Sequence, residues 1–211
     1  MTPSIDEITV GDEPKSWRAA GFTVDDDGVC RIGTVRVRLI GRERGKRILD
    51  WSLRDIDADA LTDGGLDGLP TAPSSAPPAE PAIHANGVRS IDHVVLLSPD
   101  TARTTTALEA VGFDVRRVRE TDSYGSPMRQ VFFRAGEVII ELVGPDEPGE
   151  GATGFFGLAL TVDDLEATAA LLGPALGRPK DAVQPGRRIA SLRHKDLDIS
   201  VATALMTPEP A

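Results

Sequence analysis

SIDHVVLLSPDTARTTTALEAVGFDVRRVRE, residues 90–120, reads as a strand, a helix and a second strand in close succession. Its opening is β-branched and leucine-rich, which suits a pleated, buried strand. Ser98-Pro99-Asp100 supplies a helix cap and a proline for the first turn. TARTTTALEAVG then predicts a helix ending at Gly112, and FDVRRVRE a second strand. A polar turn, TDSYGSP, leads into RQVFFRAGE and VIIELVG, two strands joined at Gly136. The order is β, α, β, β, β.

Downstream the order recurs. GFFGLALTV (154–162) predicts a strand, and Asp163 with Glu166 a capping box for a helix that ends at Gly173. A less regular segment, GRPKDAVQPG, precedes two strands in RRIASLRHK and LDISVATALM. Residues 88–206 are therefore expected to be two βαβββ modules in tandem, an α+β fold whose mixed sheet is cupped around a small-molecule pocket.

Upstream, CRIGTVRVRLIG (30–41) aligns without a gap on FRAGEVIIELVG (133–144), with Gly33 on Gly136 and Arg38 on Glu141. DWSLRDID (50–57) resembles GLALTVDD (157–164). Residues 1–66 thus read as a shortened, degenerate module plus the opening strand of another. Between the two parts, residues 67–87 carry five prolines from Pro70 to Pro81, so an extended connector without strand or helix is expected.

The bulk properties narrow the partners. A formal charge of −10 would repel a phosphate backbone and anionic lipid, so neither nucleic acid nor membrane is expected. No apolar run approaches the roughly 18 residues of a membrane span. The N-terminus lacks a basic start followed by an apolar core, and Cys30 is the only cysteine, so a cytoplasmic protein is expected.

With His93 in SIDHVVLLSPD and Glu141 in GEVIIELVGP, the sequence resembles the vicinal oxygen chelate superfamily, which includes glyoxalase I, bleomycin-resistance proteins and extradiol dioxygenases. FFGLALTVDDLEATAALLG with AVQPGRRIA also resembles a set of actinobacterial glyoxalase-like proteins without an assigned activity. The resemblance implies paired modules within or between chains, so a monomer or a homodimer. It implies a divalent metal (Zn, Fe, Mn or Ni) ligated from the first and last strands of each module, with His93 and Glu141 as ligands and catalytic residues. The pattern then breaks. Gly157 stands at the second His position and Ser200 aligns at the second Glu position, while Arg38 and Asp50 occupy the N-terminal equivalents. Three protein ligands are the usual minimum for catalytic zinc.

Strand alternation predicts that His93 and Val95 share a face opposite Asp92 and Val94. Glu141 interrupts an apolar strand, so its carboxylate needs a partner: a metal, His93, or an arginine such as Arg129 or Arg134. Gln184, Arg187 and Arg188 could bind a substrate anion, with one arginine facing the sheet and its neighbour facing away. Phe132 and Phe156 are candidates for lining the pocket. Arg116, Arg117 and Arg119 read as charges that discourage edge pairing. Three functions remain open: a metal-assisted lyase, isomerase or dioxygenase; a non-catalytic binder of the bleomycin-resistance type; and a structural role.

Overall fold

The computed structural model describes residues 2–62, 65–122 and 125–210, so the turn expected at 121–127 lies partly outside the described residues. The chain runs β1 (Ser4–Val10), α1 (Pro14–Ala19), β2 (Val29–Ile32), β3 (Val35–Leu39), β4 (Ile48–Arg54), β5 (Gly65–Leu66) and β6 (Leu69–Ser74). It continues through β7 (Val88–Leu97), α2 (Thr101–Ala110), β8 (Val115–Thr121), β9 (Met128–Ala135) and β10 (Val138–Pro145). The last unit is β11 (Gly154–Val162), α3 (Leu165–Leu172), β12 (Lys180–Asp181), β13 (Arg188–Ser191) and β14 (Ala202–Met206).

Two mixed sheets result, ordered β2-β3-β1-β4-β6-β5 and β12-β13-β14-β11-β7-β10-β9-β8. In every unit the last strand returns parallel to the first: β3 beside β1, β6 beside β4, β10 beside β7 and β14 beside β11. The first strands of paired units meet antiparallel, β1 with β4 and β7 with β11. The tandem βαβββ architecture is thus present, with a shortened version in the N-terminal sheet. The hairpins at Gly33 and Gly136 correspond, with φ of 59° and 65°, a left-handed turn conformation that favours glycine.

Three expectations are corrected. Residues 69–74, placed in the connector, form β6, which completes a second short unit with β4. Pro70 and Pro73 are tolerated because β6 is laddered to β4 while β5 covers only its first two residues. The cap of α3 is Asp164, not Asp163; its carboxylate accepts from the Glu166 and Ala167 backbone N–H groups, while Asp163 pairs with Arg89. The register of the last module also differs. Gly157 pairs with Ala202 as His93 pairs with Ile139, so the counterpart of Glu141 is Ala204 and not Ser200.

One face of each sheet is buried, and both contribute to a single core. Ile8, Val37 and Trp51 from one sheet join Val94, Ile140 and Leu158 from the other, with Trp17, Leu108 and Leu165 from the helices. Trp51 meets Phe155 edge-on across the join, with ring centroids 5.2 Å apart. Each such buried side chain contributes about 1.5–3 kcal/mol. Polar ties fix the two sheets further. Glu137 accepts from the Thr34 backbone N–H at 2.6 Å, and Asp67 accepts from Arg103, Thr104 and Thr153. The remaining face of each sheet is half-exposed.

Among the described residues no helix is long and apolar enough to cross a membrane.

Candidate functional site

The half-exposed face of the eight-stranded sheet carries both His93 and Glu141. On β10, Glu141 stands among apolar residues and pairs in register with Val95 of β7 and Phe132 of β9. His93 lies one step along on β7, and its Nε2 comes within 3.3 Å of Glu141 Oε2. Both side chains are mostly buried, at 14% and 13% exposure.

Asp92 joins them, against the alternation of the strand. Ala159 pairs with His93 while Leu160 pairs with Ile91, so Asp92 is the extra residue of a β-bulge. The bulge brings its carboxylate beside the adjacent ring, where His93 Nδ1 donates to Asp92 Oδ2 at 2.8 Å. Arg187, whose side chain is 3% exposed, donates to Asp92 Oδ1 at 2.5 Å and to the Thr207 carbonyl at 2.8 Å. Burial opposes the charge on Asp92, but hydrogen bonds from His93 and Arg187 outweigh it and hold this carboxyl below its ordinary pKa. At the far end Gln130 Nε2 donates to Glu141 Oε1 at 2.5 Å, and Gln130 Oε1 is buried without a partner.

The result is one chain of groups: Arg187, Asp92, His93, Glu141, Gln130. With Nδ1–H committed to Asp92, the contact of His93 Nε2 with a carboxylate oxygen is attractive only with a proton or another cation between them. The partner of Glu141 is not Arg129 or Arg134; Gln130 takes that place.

The donor set does not complete a metal centre. His93 and Glu141 supply two donors, and both Asp92 oxygens are engaged by Arg187 and His93. A side chain at Gly157 would place its Cβ 2.2 Å from the Ala202 carbonyl oxygen, and Ala204 offers no ligand. Among the described residues no group of three His, Cys, Asp or Glu is arranged to hold an ion. Neither His84 nor Asp50 supplies a third donor. His84 is buried against β2, its Nδ1 accepting from the Thr23 N–H at 3.0 Å and its Nε2 bonded to the Arg31 carbonyl at 3.1 Å. Asp50 lies on β4 of the other sheet.

The other residues proposed from sequence divide. Phe132 lies on the same face as Glu141. Arg187 is at the site but bound to Asp92, whereas Arg188 turns outward to Glu166 on α3. Gln184 is exposed in the turn before β13, and Phe156 is the extra residue of a second bulge, 47% exposed. Asp92 and Gln130 were not singled out by sequence. A polar residue beside His93 was visible, but only the bulge brings it to this face.

Next to the pair the residues are small: Gly157 with Ala202 and Ala159 with Ala204 occupy alternate registers on β11 and β14. Two cavities, of about 520 and 370 Å³, lie elsewhere, around Gly65 and Asp67 on the other side of the join.

No family model and no curated protein matches this sequence. Solved structures do. A variant of 4-hydroxymandelate synthase from Streptomyces coelicolor matches with a TM-score of 0.63 at 14% identity, covering 99% of this chain and 93% of that one. The halotolerant catechol dioxygenase BphC matches with a TM-score of 0.57 at 13% identity, covering 97% and 87%. A fusion of a xylose isomerase-like TIM barrel with 4-hydroxyphenylpyruvate dioxygenase matches with a TM-score of 0.59 at 13% identity, covering 99% of this chain and 49% of that one. The likeness spans both sheets rather than one pair of modules, and it gives this chain the fold of the vicinal oxygen chelate superfamily.

Proposed function

We propose that this chain binds a small oxygen-bearing molecule on the half-exposed face of the eight-stranded sheet, with His93 and Glu141 as the groups that meet it. The observation that carries the reading is the 3.3 Å approach of His93 Nε2 to Glu141 Oε2 on a face that also carries the small residues Gly157, Ala159, Ala202 and Ala204. The pair is mostly buried and held in place: Asp92 bonds His93 Nδ1, Gln130 bonds Glu141 Oε1, and Arg187 fixes Asp92 in turn. A preorganised polar pair of this kind is a common part of a ligand site.

Two donors favour binding without a resident metal, as in the bleomycin-resistance type, over a metal-dependent lyase, isomerase or dioxygenase. The same contact favours a second reading, in which the His93–Glu141 pair moves a proton on the ligand. Thermal-shift screening of neutral and anionic metabolites against the wild type and His93→Gln tests the binding reading. A ligand at roughly 100 times its dissociation constant adds about 2.7 kcal/mol. Hits that vanish in His93→Gln are expected, and hits that all persist there would sink the assignment. Metal analysis of the same preparations addresses the metal reading: stoichiometric Zn, Fe, Mn or Ni lost in His93→Gln would restore it.

A further inference from the structure

We infer that the ligand of this site is anionic, its carboxylate or phosphate group held by Arg117, Arg119 and Arg134; this rests on the reading of the His93–Glu141 face as a binding surface. The register puts all three arginines on that face. Arg117 pairs with Phe132, which pairs with Glu141; Arg119 pairs with Gln130; Arg134 pairs with Ile139, which pairs with His93. Arg117 and Arg134 flank the same Phe132, and Arg119 stands two residues further along β8, opposite Gln130.

Among the described residues none of the three has an ion pair, in a chain with a formal charge of −10. The six-stranded sheet supplies the internal comparison. There Arg31 occupies the position of Arg134 and is paired with Asp25 at 2.9 Å. Arg38 stands at the position of Glu141 and pairs with Glu7 at 2.8 Å, while Arg36 pairs with Asp6 at 2.5 Å. In that sheet these arginines are neutralised by the chain's own carboxylates. In the eight-stranded sheet the one carboxylate of this row, Glu141, is taken by Gln130 and His93. Cations left unneutralised on one face form a site for an anion that comes from outside.

Calorimetric titration with inorganic pyrophosphate, inorganic phosphate and citrate, at constant ionic strength, tests the inference. The variants are Arg117→Gln/Arg134→Gln and, as a charge-matched control in the exposed β3–β4 loop, Arg44→Gln/Lys46→Gln. Loss of charge-assisted hydrogen bonds is expected to weaken binding of at least one probe by about tenfold or more in the first pair and to leave the control unchanged. Equal affinity in wild type and Arg117→Gln/Arg134→Gln, or no binding of any probe to the wild type, overturns it. So does a wild-type dimer that this variant dissolves in sedimentation, which would make a second copy the occupant. A neutral molecule lost in His93→Gln but indifferent to the arginine pair would uphold the binding reading and overturn the anionic one.

Discussion

Asp92 and His93 are neighbours in sequence, yet their side chains lie on the same side of β7 and are hydrogen-bonded at 2.8 Å. A β-bulge opposite Ala159 and Leu160 produces this relationship. The same device recurs one residue before each equivalent position: Asp6 before Glu7, Leu49 before Asp50 and Phe156 before Gly157 are all unmatched in their ladders. Asp6 uses it to reach Arg36 and Arg54, as Asp92 reaches Arg187. The bulge is a property of the repeated unit, and what stands in it decides whether the unit has a polar site.

The buried pair of Arg187 and Asp92 is expected to be asymmetric under mutation. Arg187→Met leaves a buried carboxylate without its cation and should cost about 3–5 kcal/mol in urea unfolding. Arg187→Met combined with Asp92→Asn should recover part of that loss. A double variant as unstable as the sum of the singles would show that the two groups are not coupled.

Gly157 is required by its backbone neighbour. An added Cβ would lie 2.2 Å from the Ala202 carbonyl oxygen, so Gly157→Ala must push β11 and β14 apart. A loss of about 1–3 kcal/mol is expected, read as a lower urea midpoint. Unchanged stability would mean that the strands separate freely there, reopening Gly157 as a place where a ligand-bearing residue could stand.

Acid should destabilise the protein in two stages. Burial, against a weaker opposing bond to the Arg31 carbonyl, lowers the pKa of His84, so the unfolded chain takes up a proton that the folded chain refuses. Stability is therefore full above about pH 6.5, the ordinary histidine value, and falls as pH drops below it. Asp92 and Asp67 also have lowered values, with their hydrogen bonds outweighing burial. Their contribution is present above about pH 3.9 and is lost as pH falls through the lower folded values. Urea midpoints measured from pH 8 to pH 3 should show both stages, and a His84→Gln variant should flatten the first.

Cys30 is wholly buried, and burial pushes its thiol pKa far up, with Asp25 adding to the effect. It should not react with a disulfide reagent at neutral pH until the N-terminal sheet opens. Rapid stoichiometric labelling of the native protein would contradict this packing.

The sequence carried the architecture well because it is repeated. Caps, apolar runs and turn glycines agree in each copy, and Gly33 and Gly136 mark the same hairpin. His93 and Glu141 were legible because a charged group inside an apolar strand is conspicuous. β6 was not legible, since its prolines argue against a strand and only the partner β4 makes one. Nor was the counterpart of Glu141, because a gap in the last module moved the alignment from Ala204 to Ser200.

By itself, then, the sequence determined the tandem units, the His–Glu pair and the lack of its second copy, all of which depend on local pattern and residue type. The tertiary structure decided which groups act together. Asp92 reaches His93 because a bulge shifts one strand against another, Arg187 reaches Asp92 across 95 residues of chain, and Arg117, Arg119 and Arg134 share the face through register. Strand register is fixed by pairing between distant segments, and no local pattern encodes it.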